Sequence, residues 1–106
     1  MLSNKWYISG QISDLEPLVA YRSFLRAVDW LTSRGFEPIN PAEQLLEGPE
    51  RSWEEWMRIS IGKLIDCDGI LMLPNWRLSR GARLEYKIAR ALKMPIIFLS
   101  EDGGDG

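Results

Sequence analysis

At 106 residues, 45% hydrophobic and 26% charged, the chain is sized and composed for one globular domain with its own core. Its formal charge of -2 gives no basic footprint for duplex nucleic acid, and no apolar run reaches the roughly 20 residues of a membrane helix. No histidine and a single cysteine, Cys67, exclude Ser–His and Cys–His nucleophile pairs and an internal disulfide, and leave no ligand set for a metal.

Lys5-Trp6-Tyr7-Ile8-Ser9 is a short apolar run stopped by Gly10, and reads as a strand. The start of the chain, Met1-Leu2-Ser3-Asn4-Lys5-Trp6, lacks a secretory hydrophobic region, which with the lone cysteine leads us to expect a cytoplasmic protein. Residues 18–34 repeat Ala20, Phe24, Ala27, Val28 and Leu31 at helical spacing, up to the stop at Gly35. Phe36-Glu37-Pro38-Ile39 is a second strand, and its proline assigns it to a sheet edge. A polar connection over 42–52 carries Gly48-Pro49 and leads into a helix over 53–66, where Trp53 and Trp56 share the apolar face and read as core.

Gly69-Ile70-Leu71-Met72-Leu73 is continuously apolar, as expected of a strand covered on both faces. Asp68, just before it, reads as a turn cap. A helix over 79–92 comes next, then a last strand over 95–99 and an acidic, glycine-rich tail over 101–106 that we expect to be disordered. Alternating strands and helices predict one α/β domain over 1–100: an open parallel sheet of four to five strands with helices on both faces. Ligands of such sheets bind beyond the carboxyl ends of the strands. That edge gathers Tyr7, Ser9, Gly10, Trp76, Ser79, Gly81 and Glu85.

Glu85 is the most informative of these. At about 100° per residue, Leu84, Ile88, Ala91, Leu92, Ala89 and Ala82 fall on one arc, opposite Arg83, Lys87, Arg90 and Lys93. Glu85 lands inside the apolar arc, between Leu92 and Ala89. A buried carboxylate is costly unless paired or used in chemistry. Two readings are open: a structural pair with Arg80 or Tyr7, or a nucleophile or base, a role that suits glycosidic carbons with oxocarbenium-like transition states. Ser79 is an N-cap whose helix start, opened by Gly81, either serves as an anion site or is simply capped. Ser9-Gly10 and the backbone of Gln11-Ile12-Ser13 can cradle phosphate or ribose, or simply form a turn. Trp76 either stacks on a nucleobase or packs over the sheet edge.

Taken in order, Tyr7-Ile8-Ser9-Gly10, Asn40-Pro41-Ala42, Trp56-Met57-Arg58, Cys67-Asp68, Leu73-Pro74-Asn75-Trp76 and Ser79-Arg80-Gly81-Ala82-Arg83-Leu84-Glu85 resemble the nucleoside 2-deoxyribosyltransferase-like superfamily, over about residues 5–99. They are also similar to deoxynucleoside 5′-monophosphate N-glycosidases. The resemblance implies a flavodoxin-like fold, a homodimer, a small nucleoside or nucleotide as partner, and no cofactor. Glu85 is then the nucleophile at C1′ and Tyr7 orients it. Ser9, Gly10, Gln11, Asn40, Trp76, Ser79 and Gly81 are then the substrate contacts. The alternative is a non-catalytic binder of nucleotides or nucleotide-derived signals in the same pocket. Two departures bear on the choice. Relatives usually carry aspartate in Met-Arg-x-Asp where this chain has Ser60, on the inward face between Trp56 and Leu64. Family glycosidases also complete their site near the C-terminus of a neighbouring subunit, where this chain offers little.

Overall fold

Apolar runs too short for helices alternate with amphipathic stretches along the chain, and each adopts the element its pattern favours. The computed structural model describes residues 4–46 and 49–101. The described residues form strands β1 (Lys5–Ser9), β2 (Glu37–Ile39), β3 (Gly69–Met72) and β4 (Ile96–Phe98), and helices α1 (Pro17–Thr32), α2 (Trp53–Ile65) and α3 (Arg80–Ala91). Gly48 and the acidic tail beyond Glu101 lie outside the described residues.

All strand pairs are parallel, in the order β2-β1-β3-β4. This is the flavodoxin-like sheet expected from the sequence. The central strands β1 and β3 are the apolar ones, and every residue of Gly69–Met72 is buried. Pro38 lies on β2, at the edge, as its missing donor requires.

Alternation along β1 divides its side chains between two cores. Trp6 and Ile8 pack with Phe24, Ala27 and Leu31 of α1. Tyr7 packs with Leu64 of α2 and Ala82 and Ala89 of α3. Tyr7 and Ser9, two residues apart, therefore face the α2/α3 layer together.

Helix boundaries are set by capping chemistry. The Ser52 hydroxyl accepts from the Glu55 N–H at 3.1 Å while the Glu55 carboxylate accepts from the Ser52 N–H at 3.2 Å, so α2 starts at Trp53. The Ser79 hydroxyl accepts from the Ala82 N–H at 3.0 Å and starts α3. Gly35, at φ +82°, reverses the chain after α1, where the Phe36 N–H returns to the Leu31 carbonyl. The expected polar connection over 42–52 instead begins with a 3-10 turn, Pro41–Leu46. The Asn40 side chain accepts from the Ala42 N–H, and Ala42 is fully buried in the α1 core.

The chain leaves β1 toward β2, then crosses to β3 on the other side, so the order reverses between β1 and β3. Beyond this switch the strand ends pack tightly. The Leu73 N–H donates to the Ser9 carbonyl at 2.8 Å, and a Cβ on Gly10 would stand 2.8 Å from the Leu73 Cβ. Gly10→Ala should therefore separate the two strand ends and cost roughly 1–3 kcal/mol, read as a lower urea midpoint with an unchanged slope.

Candidate active site

The buried positions of α3 are Ala82, Glu85 and Ala89, spaced so that they stack on one helix face. Glu85 is therefore at the centre of the buried stripe and not at its margin, while Leu92 is 56% exposed. The alanines on either side let α3 approach the sheet closely, and the glutamate reaches across to β1. The Tyr7 hydroxyl donates to Oε2 at 2.6 Å and the Ser9 hydroxyl donates to Oε1 at 2.7 Å. Each carboxyl oxygen thus has one short donor from the same strand face. Of the two pairings open from the sequence, the Tyr7 one is present; the Arg80 guanidinium lies instead on the Trp53 ring, 3.7 Å from its centroid.

Electrostatics are dictated by this geometry. Burial pushes the Glu85 carboxyl up to about 7, and the bonds from Tyr7 and Ser9 pull it down without cancelling that effect. Burial, then the Glu85 charge and hydrogen bond, hold the Tyr7 hydroxyl well above its usual range, with the Ser60 hydroxyl opposing. Tyr7 is thereby kept as a phenol and a donor.

Glu85 and Tyr7 line a cleft of about 650 Å³ at the switch in strand order. Gly10, Ser13 and Asp14 enter it from the loop after β1. Trp53, Trp56 and Ser60 enter it from α2, and Ser79, Arg80, Gly81 and Arg83 from the start of α3. A Cβ on Gly81 would meet the Met57 sulfur at 3.0 Å, so glycine keeps this corner open. The Ser79 hydroxyl both caps α3 and lines the cleft. Ser60 faces inward, as its helical position requires.

The other expected contacts are placed elsewhere. The Gln11 N–H donates to the Asn75 side chain at 3.1 Å, tying two loops together. Asn40 is turned onto the Ala42 N–H and lines a separate depression beside Lys63 and Cys67. Trp76 packs on Tyr86, at 4.6 Å between centroids, and on Phe98 at 6.0 Å, which is the packing reading of that residue. Its turn, Trp76–Leu78, carries the ring to the outer side of α3. Asp68 accepts from the Lys5 N–H at 2.7 Å, where β1 enters the sheet, at the edge opposite the cleft.

Three site residues escape the sequence reading. Trp53 and Trp56, read as core, are half-buried and form a cleft wall, with Arg80 and Arg51 laid over their rings. Asp14, at φ +67°, is a second carboxylate lining the cleft. The usable signal is topological. In a parallel sheet the helix starts lie at the same edge as the strand ends, so residues at the start of α2 belong with the site.

Among the described residues no group of three or more His, Cys, Asp or Glu could hold a metal ion, and no helix is long and apolar enough to cross a membrane.

Residues 4–98 match the family described as "Domain of unknown function (DUF4406)". No curated protein matches in sequence. Among solved structures, the chain is similar to a "2-desoxiribosyltransferase from Leishmania mexicana", with a TM-score of 0.63 and 19% identity over 92% of this chain and 64% of that one. The chain spans less than two thirds of that protein, and at this identity the likeness establishes the fold. The resemblance read from the motifs holds at that level.

Burial of Glu85 has a consequence for stability. Unfolded, its carboxyl ionises near the ordinary 4.5; folded, near 7. Below 4.5 both states hold the proton; between the two values only the unfolded state releases it, so stability falls as pH rises and levels off above 7. Glu85→Gln should be more stable than the parent at pH 8, by up to roughly 3 kcal/mol. The gain should shrink to nothing near pH 4 in urea melts taken across the range.

Proposed function

The chain belongs to the DUF4406 family, and we propose that it cleaves the N-glycosidic bond of a small nucleoside or nucleotide with Glu85 as the nucleophile. The observation that carries this reading is a carboxylate 5% exposed, clamped by two hydroxyls, with no cation beside it among the described residues, on the wall of a cleft. A buried ion pair would neutralise the group; two neutral donors orient it and leave it reactive.

In the proposed reaction a Glu85 carboxylate oxygen bonds to C1′ as the C1′–N bond breaks, and the electron pair of that bond leaves with the base. The departing base takes a proton from a solvent water, which Asp14, the other carboxylate lining the cleft, can orient. Water then attacks C1′, breaking the C1′–O bond to Glu85 and giving up a proton to solvent, or the nitrogen of a second base does so and the sugar is transferred. Tyr7 and Ser9 are positioning residues. Gly10, Ser79 and Gly81 surround the sugar and any phosphate, and Trp53 and Trp56 offer faces on which a base can stack. The route requires neither metal nor cofactor.

Ser60 favours a second reading. It lines the cleft where the resemblance leads to an aspartate, which suits a protein that binds nucleotides without turning them over.

Incubation with a panel of deoxy- and ribonucleosides and their 5′-monophosphates, with assay of free base, separates the two. The enzyme reading expects release that falls on the order of 10³-fold or more in Glu85→Gln. Saturable binding with no release from any member of the panel supports the binder. Because the nucleophile is the ionised form, kcat/KM should climb with pH through about 7 and then level off. Asp14→Asn, which tolerates the same backbone conformation, should slow release about 10- to 100-fold in the same assay.

A further inference from the structure

The overall charge of -2 conceals a strongly segregated surface. Between Trp76 and Lys93 the chain carries Arg77, Arg80, Arg83, Lys87, Arg90 and Lys93, and its only acid is the buried Glu85. A solvated helix face ordinarily interleaves acids with bases at three- and four-residue spacing. Here Arg83, Lys87 and Arg90 repeat at that spacing as like charges, which disfavours the isolated helix. Among the described residues no carboxylate is paired with Arg77, Arg83, Lys87 or Arg90. The Arg83 guanidinium donates to the Arg77 carbonyl at 3.0 Å, and that of Arg90 to the Tyr86 hydroxyl at 3.5 Å. Arg77 lies over Trp76 and Arg90 over Tyr86.

These residues enclose a groove of about 600 Å³ with an aromatic floor, lined by Trp76, Arg77, Arg83, Tyr86, Lys87 and Arg90. Half-buried rings flanked by cations without carboxylate partners are the two components by which proteins hold single-stranded nucleic acid: cations track the phosphates and bases stack on the rings. Arg83 to Arg90 spans about 10 Å along the helix, on the order of three stacked nucleotides. A duplex, with paired bases, cannot use the floor.

We propose that the outer face of α3 with its preceding turn is a binding site for single-stranded nucleic acid, centred on Trp76 and Tyr86 and gripped by Arg83, Lys87 and Arg90. Arg83 borders both this groove and the Glu85 cleft, whereas Lys87 and Arg90 line the groove and lie outside that cleft. Binding at the groove can therefore be tested whether or not the cleft is active.

The test is fluorescence anisotropy of a labelled oligothymidylate with the full chain at about 50 mM salt, then along a salt series. We expect saturable binding that Lys87→Gln/Arg90→Gln weakens about tenfold, with the slope of log K against log salt shallower by about 1.4, or 0.7 for each lost phosphate contact. The double variant should keep the parent's thermal midpoint, since both residues are exposed. Absence of binding, or equal binding by the double variant, overturns the proposal. Tighter binding of the corresponding duplex overturns it too. So does displacement by oligoglutamate at equal concentration, which would instead assign the face to an acidic protein partner.

Discussion

Placing a glutamate in the sheet-facing stripe of a helix imposes one requirement: the strand beneath must offer a hydroxyl to each carboxyl oxygen. Tyr7 and Ser9 meet it because a strand presents every second residue to the same face, and both lie on the central strand next to the switch in strand order. Other features accommodate that arrangement. Ala82 and Ala89 are small so that the helix can approach, and Gly10 lets the ends of β1 and β3 close upon each other. Desolvation is the largest influence on the carboxyl, and its affinity for a proton is set near neutrality.

The architecture is legible in the sequence because its signals are local and agree with one another. A continuous apolar run predicts the doubly covered strand, Pro38 predicts the edge, and the glycine at 35 and the serine at 79 mark helix ends within a residue or two. The inward direction of Glu85 is also given by helical periodicity. The arc itself is narrower than the periodicity suggests, since Ala91 and Leu92 sit at the C-terminal end of α3 and reach solvent.

The parts that are not legible depend on tertiary placement. Trp53 and Trp56 carry the same apolar spacing whether they face a core or a cavity, and only the gap left by Gly81 and the loop after β1 makes them a wall. Asn40 shows the converse: it belongs to the motif series yet spends its side chain on the turn just after it. Trp76 stands in a loop at the correct edge of the sheet, and a single 3-10 turn is enough to swing it to the far side of α3. Asp14 carries no periodic signal, because its place on the cleft wall comes with a left-handed backbone in an irregular loop.

The proline on β2 reaches beyond this molecule. The Glu37 N–H turns inward to the Asn4 carbonyl, so by alternation the nitrogen of residue 38 points away from the sheet. A proline there costs the internal ladder nothing and strips the outer rim of its central donor. A foreign strand arriving from that side meets a pyrrolidine ring, and accretion of copies along the rim is blocked at its first step. Of the two rims of the described sheet, only that of β4 is free of proline within its strand, so this guard protects one side of the sheet and not the other.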